Sequence, residues 1–195
     1  MSKRERPKDK FTILILRGVP GTGKTTLARQ LCRNFQSNIK DLSEKNTHCK
    51  CINRDRIREE FLQSQECKEI LNGKTIDYQE SFRNATLNSL IRDKYFYEIS
   101  DAFKQMKFND GESLLVIDST NTKIADLIRL LRIIKPYDFL INNVDYNIYI
   151  LTKRTEHGNI HDVPEKIMKA FREELKESDE WLNKKFPKKD KVTLL

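Results

Sequence analysis

Short, almost wholly apolar runs alternate along the chain with longer stretches in which apolar residues recur every three or four positions. Phe11-Thr12-Ile13-Leu14-Ile15-Leu16 has the composition of a strand covered on both faces and predicts a first strand over about 11–17. A helix over 24 to about 35 follows, with Leu27 and Leu31 four apart on one face. Residues 36–48 are polar and read as a long loop. Cys49-Lys50-Cys51-Ile52-Asn53 alternates and predicts a second strand, ending at Arg54-Asp55. A short helix over 56–65 places Ile57 and Phe61 together, and Asn72-Gly73 marks a turn. From 76 to 106, Tyr78, Phe82, Ala85, Ile99, Ala102, Phe103 and Met106 recur at helical spacing, as one long helix or two. Asn109-Asp110-Gly111 stops it.

Ser113-Leu114-Leu115-Val116-Ile117-Asp118 predicts a third strand with a carboxylate at its C-terminal end. An amphipathic helix over 123–134 carries Ile124, Leu127, Ile128 and Leu131 and ends before Pro136. Residues 146–151 predict a fourth strand. Asp162-Val163-Pro164-Glu165 opens a last long helix, with Asp162 as N-cap, Pro164 early in the helix and Glu165 reaching back. Ile167, Met168, Phe171 and Leu175 form its buried face. A basic segment over 184–191 precedes a short fifth strand at 192–195. Strands alternating with helices predict an α/β fold, a parallel sheet of four to five strands with helices on both faces. Ligands in such sheets lie beyond the C-terminal ends of the strands. Gly18, Asp55, Asp118 and Arg154 all follow a predicted strand, so they are expected on one rim.

With 195 residues the expectation is one domain over 11–195 behind a disordered basic leader at 1–10. No apolar run approaches the roughly 20 residues of a membrane-spanning helix. The charged N-terminus does not read as a signal peptide, so a cytoplasmic or nuclear location is expected. The four cysteines then read as free thiols. Net charge is +8, from 37 Lys and Arg against 29 Asp and Glu. That balance favours a polyanionic partner, although a solvated charged surface accounts for part of it.

The sharpest chemistry is Gly18-Val19-Pro20-Gly21-Thr22-Gly23-Lys24-Thr25, the G-x-x-x-x-G-K-[ST] phosphate loop, set between a strand and a helix as that motif requires. Glycines let successive N–H groups turn inward, and the helix N-terminus behind them favours anions. The expected nucleotide-binding set is Gly18, Gly21, Thr22, Gly23, Lys24, Thr25 and Thr26. Lys24 reaches the β- and γ-phosphates, and Thr25 offers its hydroxyl to Mg²⁺.

Asp55 is either the carboxylate that a hydroxyl-phosphorylating enzyme needs or the N-cap of the next helix, or both. Arg58, three residues on, is either an anion grip or a solvated charge, and Arg54 and Arg56 are weaker candidates for the grip. Asp118 reads as a second carboxylate on or near the metal, against a turn-forming role. Ser119, Thr120 and Asn121 either orient that site or cap the following helix. Lys153 and Arg154 are either a lid cation pair for the transferring phosphate or surface charge. His157 with His161, and His48 with Cys49 and Cys51, lack the companions of a metal site, so the cysteines read as structural. Trp181, Tyr95, Phe96 and Tyr97 read as core rather than as a base-stacking surface.

Taken together, the P-loop, Ile52-Asn53-Arg54-Asp55 with Arg58, Asp118-Ser119-Thr120-Asn121 and the stretch 154–164 resemble the kinase domain of bacteriophage-type polynucleotide 5′-kinases. The chain is also similar to the P-loop domain of Nedd4-binding-protein-2-like proteins, at the P-loop, at 118–121 and at Asn159-Ile160-His161. The resemblance implies a P-loop kinase fold with a lid at about 152–163. It also implies transfer of the ATP γ-phosphate to a 5′-hydroxyl end of RNA or DNA. Asp55 would be the general base, and Arg58 would hold the acceptor's phosphate backbone. Lys24 and Arg154 would carry the transferring charge, and Thr25 and Asp118 the metal. Two departures stand out. Ser119 precedes the Thr-Asn pair where phage enzymes have the acidic residue, and Gly158 stands near the place of a second lid arginine, with His157 its nearest substitute. The competing readings are a P-loop phosphotransferase for a small molecule and a nucleotide-binding interaction module with little turnover.

Overall fold

The computed structural model describes residues 11–37, 48–107, 112–134, 146–157, 163–186 and 192–195. Five strands, β1 (Phe11–Arg17), β2 (His48–Asn53), β3 (Ser113–Asp118), β4 (Tyr146–Thr152) and β5 (Val192–Leu194), form one sheet in the order β2-β3-β1-β4-β5. Every pairing is parallel. The predicted leader at 1–10 and most of the long loop before β2 lie outside the described residues, as does part of the proposed lid.

Alternation along the strands divides the core into two faces. Phe11, Ile13 and Ile15 of β1 join Ile52, Leu115, Ile117, Ile148 and Ile150 under α2 (Arg54–Leu62), α5 (Ala85–Lys107) and α6 (Ile124–Ile134). Leu14, Leu16, Leu114 and Val116 turn the other way and pack under α1 (Lys24–Ser37). Each such side chain is worth about 1.5–3 kcal/mol when fully buried. Tyr95 and Phe96 lie in the first core, Trp181 and Phe186 pack edge to face beside it, and Tyr97 is exposed. A smaller cluster of Val19, Met168 and Leu175 seats α7 (Glu165–Lys185) on the phosphate loop.

Several boundaries differ from the sequence expectation. The helix after β2 begins at Arg54, and Asn53 rather than Asp55 is its N-cap, accepting from the Arg56 N–H at 2.8 Å. Ser64 caps a further helix, α3 (Gln65–Ile70). The long periodic stretch is two helices, because Asp77 and Glu80 close a capping box on the one-turn α4 (Tyr78–Ser81) before α5 starts. No side chain caps α7, whose N-cap position is Pro164, so the expected capping box at its start is not formed. Glu165 accepts instead from Arg172 at 2.6 Å, and Asp162 lies outside the described residues. No described helix is long and apolar enough to cross a membrane.

Candidate active site

Parallel register sets the strand tips level. Leu16 pairs with Asp118, Asp118 with Asn53, and Arg17 with Thr152, so the segments leaving β1, β2, β3 and β4 emerge on one rim. The phosphate loop turns there. Gly18, Gly21 and Gly23 have φ of 143°, 79° and 74°. A Cβ on Gly18 would stand 2.3 Å from the Lys153 carbonyl oxygen, so both conformation and space require glycine. The Gly18 N–H donates to the Thr120 carbonyl at 3.0 Å, and the His157 N–H donates to the Gly21 carbonyl at 2.9 Å. The loop is therefore stitched to the segment after β3 on one side and to the segment after β4 on the other.

Lys24 is buried, and its ammonium donates to the Val19 carbonyl at 2.7 Å and to the Thr22 hydroxyl at 3.2 Å. Burial lowers its pKa to about 8, against the opposing pull of Asp118 and Asp55. Thr25 is half-buried and Thr26 exposed at the mouth of the loop. Asp118 is buried, accepts from Asn53 Nδ2 at 2.6 Å and is hydrogen-bonded to Thr25. Burial raises its pKa, and the bonds from Thr25 and Asn53 and the charge of Lys24 work against that rise.

Asp55 is exposed in the first turn of α2. Its charge is felt by Lys24, Arg58 and Asp118, and its carboxylate accepts a hydrogen bond from the Tyr78 hydroxyl. Burial pushes the Tyr78 phenol up, and the Asp55 charge and hydrogen bond add to that, so the phenol stays a donor. Tyr78 carried no signal in the sequence beyond helical spacing.

Arg58, expected to face the acceptor, is only 3% exposed. It donates to Ser81 Oγ at 3.0 Å and Asn88 Oδ1 at 2.9 Å, and its guanidinium lies 3.8 Å from the centroid of Phe82. Here it anchors α4 to α2 and α5, and so fixes the turn that presents Tyr78 to Asp55. Arg54 pairs with Asp126 at 3.4 Å and lies 5.8 Å from the Tyr95 centroid. Arg154 is exposed and donates to Asp179 at 2.8 Å. The structure thus brings Lys24, Thr25, Asp118 and Asp55 into one electrostatic neighbourhood, and sets Arg58 and Arg154 on protein partners.

The AAA domain family matches residues 13–177. The chain belongs to that family. Solved structures similar to this AAA domain include the Mycobacterium tuberculosis APS kinase CysC, at TM-score 0.43 and 10% identity over 91% of this chain and 99% of that one. A gluconokinase from Sinorhizobium meliloti is similar at TM-score 0.40 and 9% identity, over 98% of this chain and 83% of that one. A sequence search of curated proteins returns no match.

One further charged residue of the AAA domain organises this rim. Arg17 ends β1 directly before the phosphate loop and is fully buried. It donates to Asp179 Oδ1 at 2.5 Å, to Thr152 Oγ1 at 3.3 Å, to the Asn121 carbonyl at 3.4 Å, and to Ser178 Oγ. Burial lowers its pKa, while the charge and hydrogen bond of Asp179 oppose that. Asn121, at φ 46°, donates to the Leu16 carbonyl at 2.8 Å and accepts from the Tyr95 hydroxyl at 3.2 Å. Thr122 donates to Glu174 at 2.8 Å. The loop at 118–122 therefore ties β1 to α5 and α7.

The donor set fits Mg²⁺ in its phosphate-bridging mode. Thr25 and Asp118 are hard oxygen donors already in contact beside the phosphate loop, and Mg²⁺ needs one or two protein oxygens when phosphates and water complete its shell. Among the described residues no group of three His, Cys, Asp or Glu side chains could hold a metal ion by itself. His161 lies outside those residues.

The position of Lys24 gives a pH dependence. Anionic phosphates favour its charged form, so above pH 8 nucleotide binding must take up a proton. ATP affinity is expected to be flat well below pH 8 and to fall above it, approaching tenfold per pH unit. Calorimetry in buffers of different ionisation enthalpy, at pH 6.5 and 9, checks the sign: proton uptake by Lys24 close to one at the higher pH and close to none at the lower.

Proposed function

We propose that the protein is an ATP-dependent phosphotransferase that moves the γ-phosphate to a 5′-hydroxyl end of RNA or DNA. One observation carries the reading: the Asp55 carboxylate, held by Tyr78, lies in the field of the phosphate-loop lysine. A hydroxyl bound beside Asp55 loses its proton to that carboxylate as its oxygen attacks the γ-phosphorus in line. Lys24 turns from Val19 and Thr22 to the phosphates and stabilises the transferring charge. Thr25 and Asp118 would hold Mg²⁺, which neutralises phosphate charge when bound. Arg154 reaches the transferring group by releasing Asp179, which keeps its bond to Arg17. The net charge of +8 supports an anionic polymer as acceptor.

A second reading, a small hydroxyl-bearing acceptor, is favoured by the burial of Arg58, which removes the expected grip on an acceptor phosphate. The two separate in one assay with γ-labelled ATP, 5′-hydroxyl oligonucleotides and a panel of small alcohols, run across salt. Label entering the oligonucleotide end, with a rate that falls steeply with salt, is the expected result. Label entering only a small acceptor, with little salt dependence, overturns the nucleic-acid reading and keeps the phosphotransferase.

Tyr78→Phe tests the positioning of Asp55. The variant is expected to lose several-fold in kcat with little change in the KM for ATP, because only the hydrogen bond to the base is removed. Steady-state kinetics with saturating acceptor read the split.

A further inference from the structure

The face of the sheet opposite α5 carries a cluster that the phosphoryl-transfer site does not use. Cys32 of α1 is hydrogen-bonded to both Cys49 and Cys51 of β2. The strand period sends Cys49 and Cys51 to the same face, and α1 lays Cys32 across them. All three are half-buried, whereas Cys67, the remaining cysteine, is buried in the other core. Packing alone does not ask for one thiol of α1 set against two of β2, all with partial access to solvent. A metal does not account for them either, since no such group of ligands is found among the described residues.

We propose that Cys32 and Cys49 are an oxidisable dithiol, a thiol–disulfide exchange site that links the phosphate-loop helix to the strand leading to Asn53 and Asp55. Cys49 is the attacking group. The hydrogen bond from Cys32 lowers its pKa, against burial and the nearby Cys51. Cys32 is pushed up to about 11, chiefly by the same bond, and so begins as the proton donor. With oxidised glutathione as co-reactant, the Cys49 thiolate attacks one sulfur of the glutathione disulfide, the S–S bond breaks, and one glutathione thiolate leaves. Cys49 is then neutral, and the largest influence holding the Cys32 proton is gone, with burial still opposing its loss and the bond from Cys51 favouring it. The Cys32 thiolate attacks the Cys49 sulfur, and the second glutathione thiolate leaves. Two protein thiols become one disulfide, one glutathione disulfide becomes two glutathiones, and the two protein protons pass to the leaving thiolates. Cys49 and Cys51 do not pair with each other. Residues two apart on a strand have Cα atoms about 6.6 Å apart, near the limit for a disulfide, and their side chains stand parallel.

The test is oxidation of the native full chain with glutathione disulfide, followed by alkylation and peptide mapping. The expected result is a Cys32–Cys49 cross-link with loss of two free thiols, and Cys67 alkylated only after denaturation. In Cys32→Ser, Cys49 is expected to stop at the mixed disulfide with glutathione, seen as an added glutathione in the intact mass. Persistence of all four thiols in the wild type overturns the proposal. So does a cross-link through any other pair, or a Cys32→Ser variant that takes up no glutathione.

Discussion

Asp55→Asn is expected to lower the rate of phosphoryl transfer by roughly 10²–10⁴-fold while leaving nucleotide binding nearly intact. Positioned general bases contribute in that range, and the amide keeps the shape of the carboxylate without its capacity to take a proton. Structural damage should be small, because the cap of α2 is Asn53 and Asp55 is exposed in the first turn. ATP affinity should hold or rise slightly, since a negative charge is removed from the field around Lys24. Single-turnover transfer and ATP titration on the same preparation separate the effects. A parallel loss of both would assign Asp55 to the fold.

Arg17→Met is expected to destabilise the protein by about 3–5 kcal/mol, the range for removing one partner of a buried ion pair. The loss strands Asp179 with the exposed Arg154, and it leaves Ser178, Thr152 and the Asn121 carbonyl without their donor. For a chain of this size that corresponds to a fall in Tm of roughly 6–20 °C. The exposed pairs of Arg172 with Glu156 and Glu165 make the contrast. Arg172→Met should leave the Tm nearly unchanged, because surface pairs in water gain little. Thermal unfolding of the two variants side by side reads the difference. Adding Asp179→Asn to Arg17→Met should recover little, because Arg154 still pairs with that carboxylate once Arg17 is gone.

What could be read from the sequence follows the range of the interactions. The first strand, the glycine loop and α1 are local, and each is visible in a few adjacent residues. Asp118 was visible because a carboxylate ending an apolar strand has one natural place, the ligand rim. The cap of α2 was ambiguous because Asn53 and Asp55 are both capping residues, and the pairing of Asn53 with Asp118 decides between them. Arg58 was misplaced for another reason. Helical spacing puts it near Asp55, but its surroundings are Ser81, Phe82 and Asn88, which nothing near it in the chain announces. Tyr78 looked like one more apolar position because the break between α4 and α5 depends on a capping box inside a periodic stretch. Arg17 has one local signal, a charge closing an almost wholly apolar run. Its partners lie more than 100 residues away.

The most direct measurement is a crystal structure with ADP, Mg²⁺ and a short 5′-hydroxyl oligonucleotide. The account predicts diphosphate on the N–H groups of residues 21–25, metal beside Thr25 and Asp118, and the terminal hydroxyl within hydrogen-bond reach of Asp55, facing the β-phosphate. An Asp55 carboxylate directed away from the phosphates, with the oligonucleotide bound elsewhere or not at all, would contradict it.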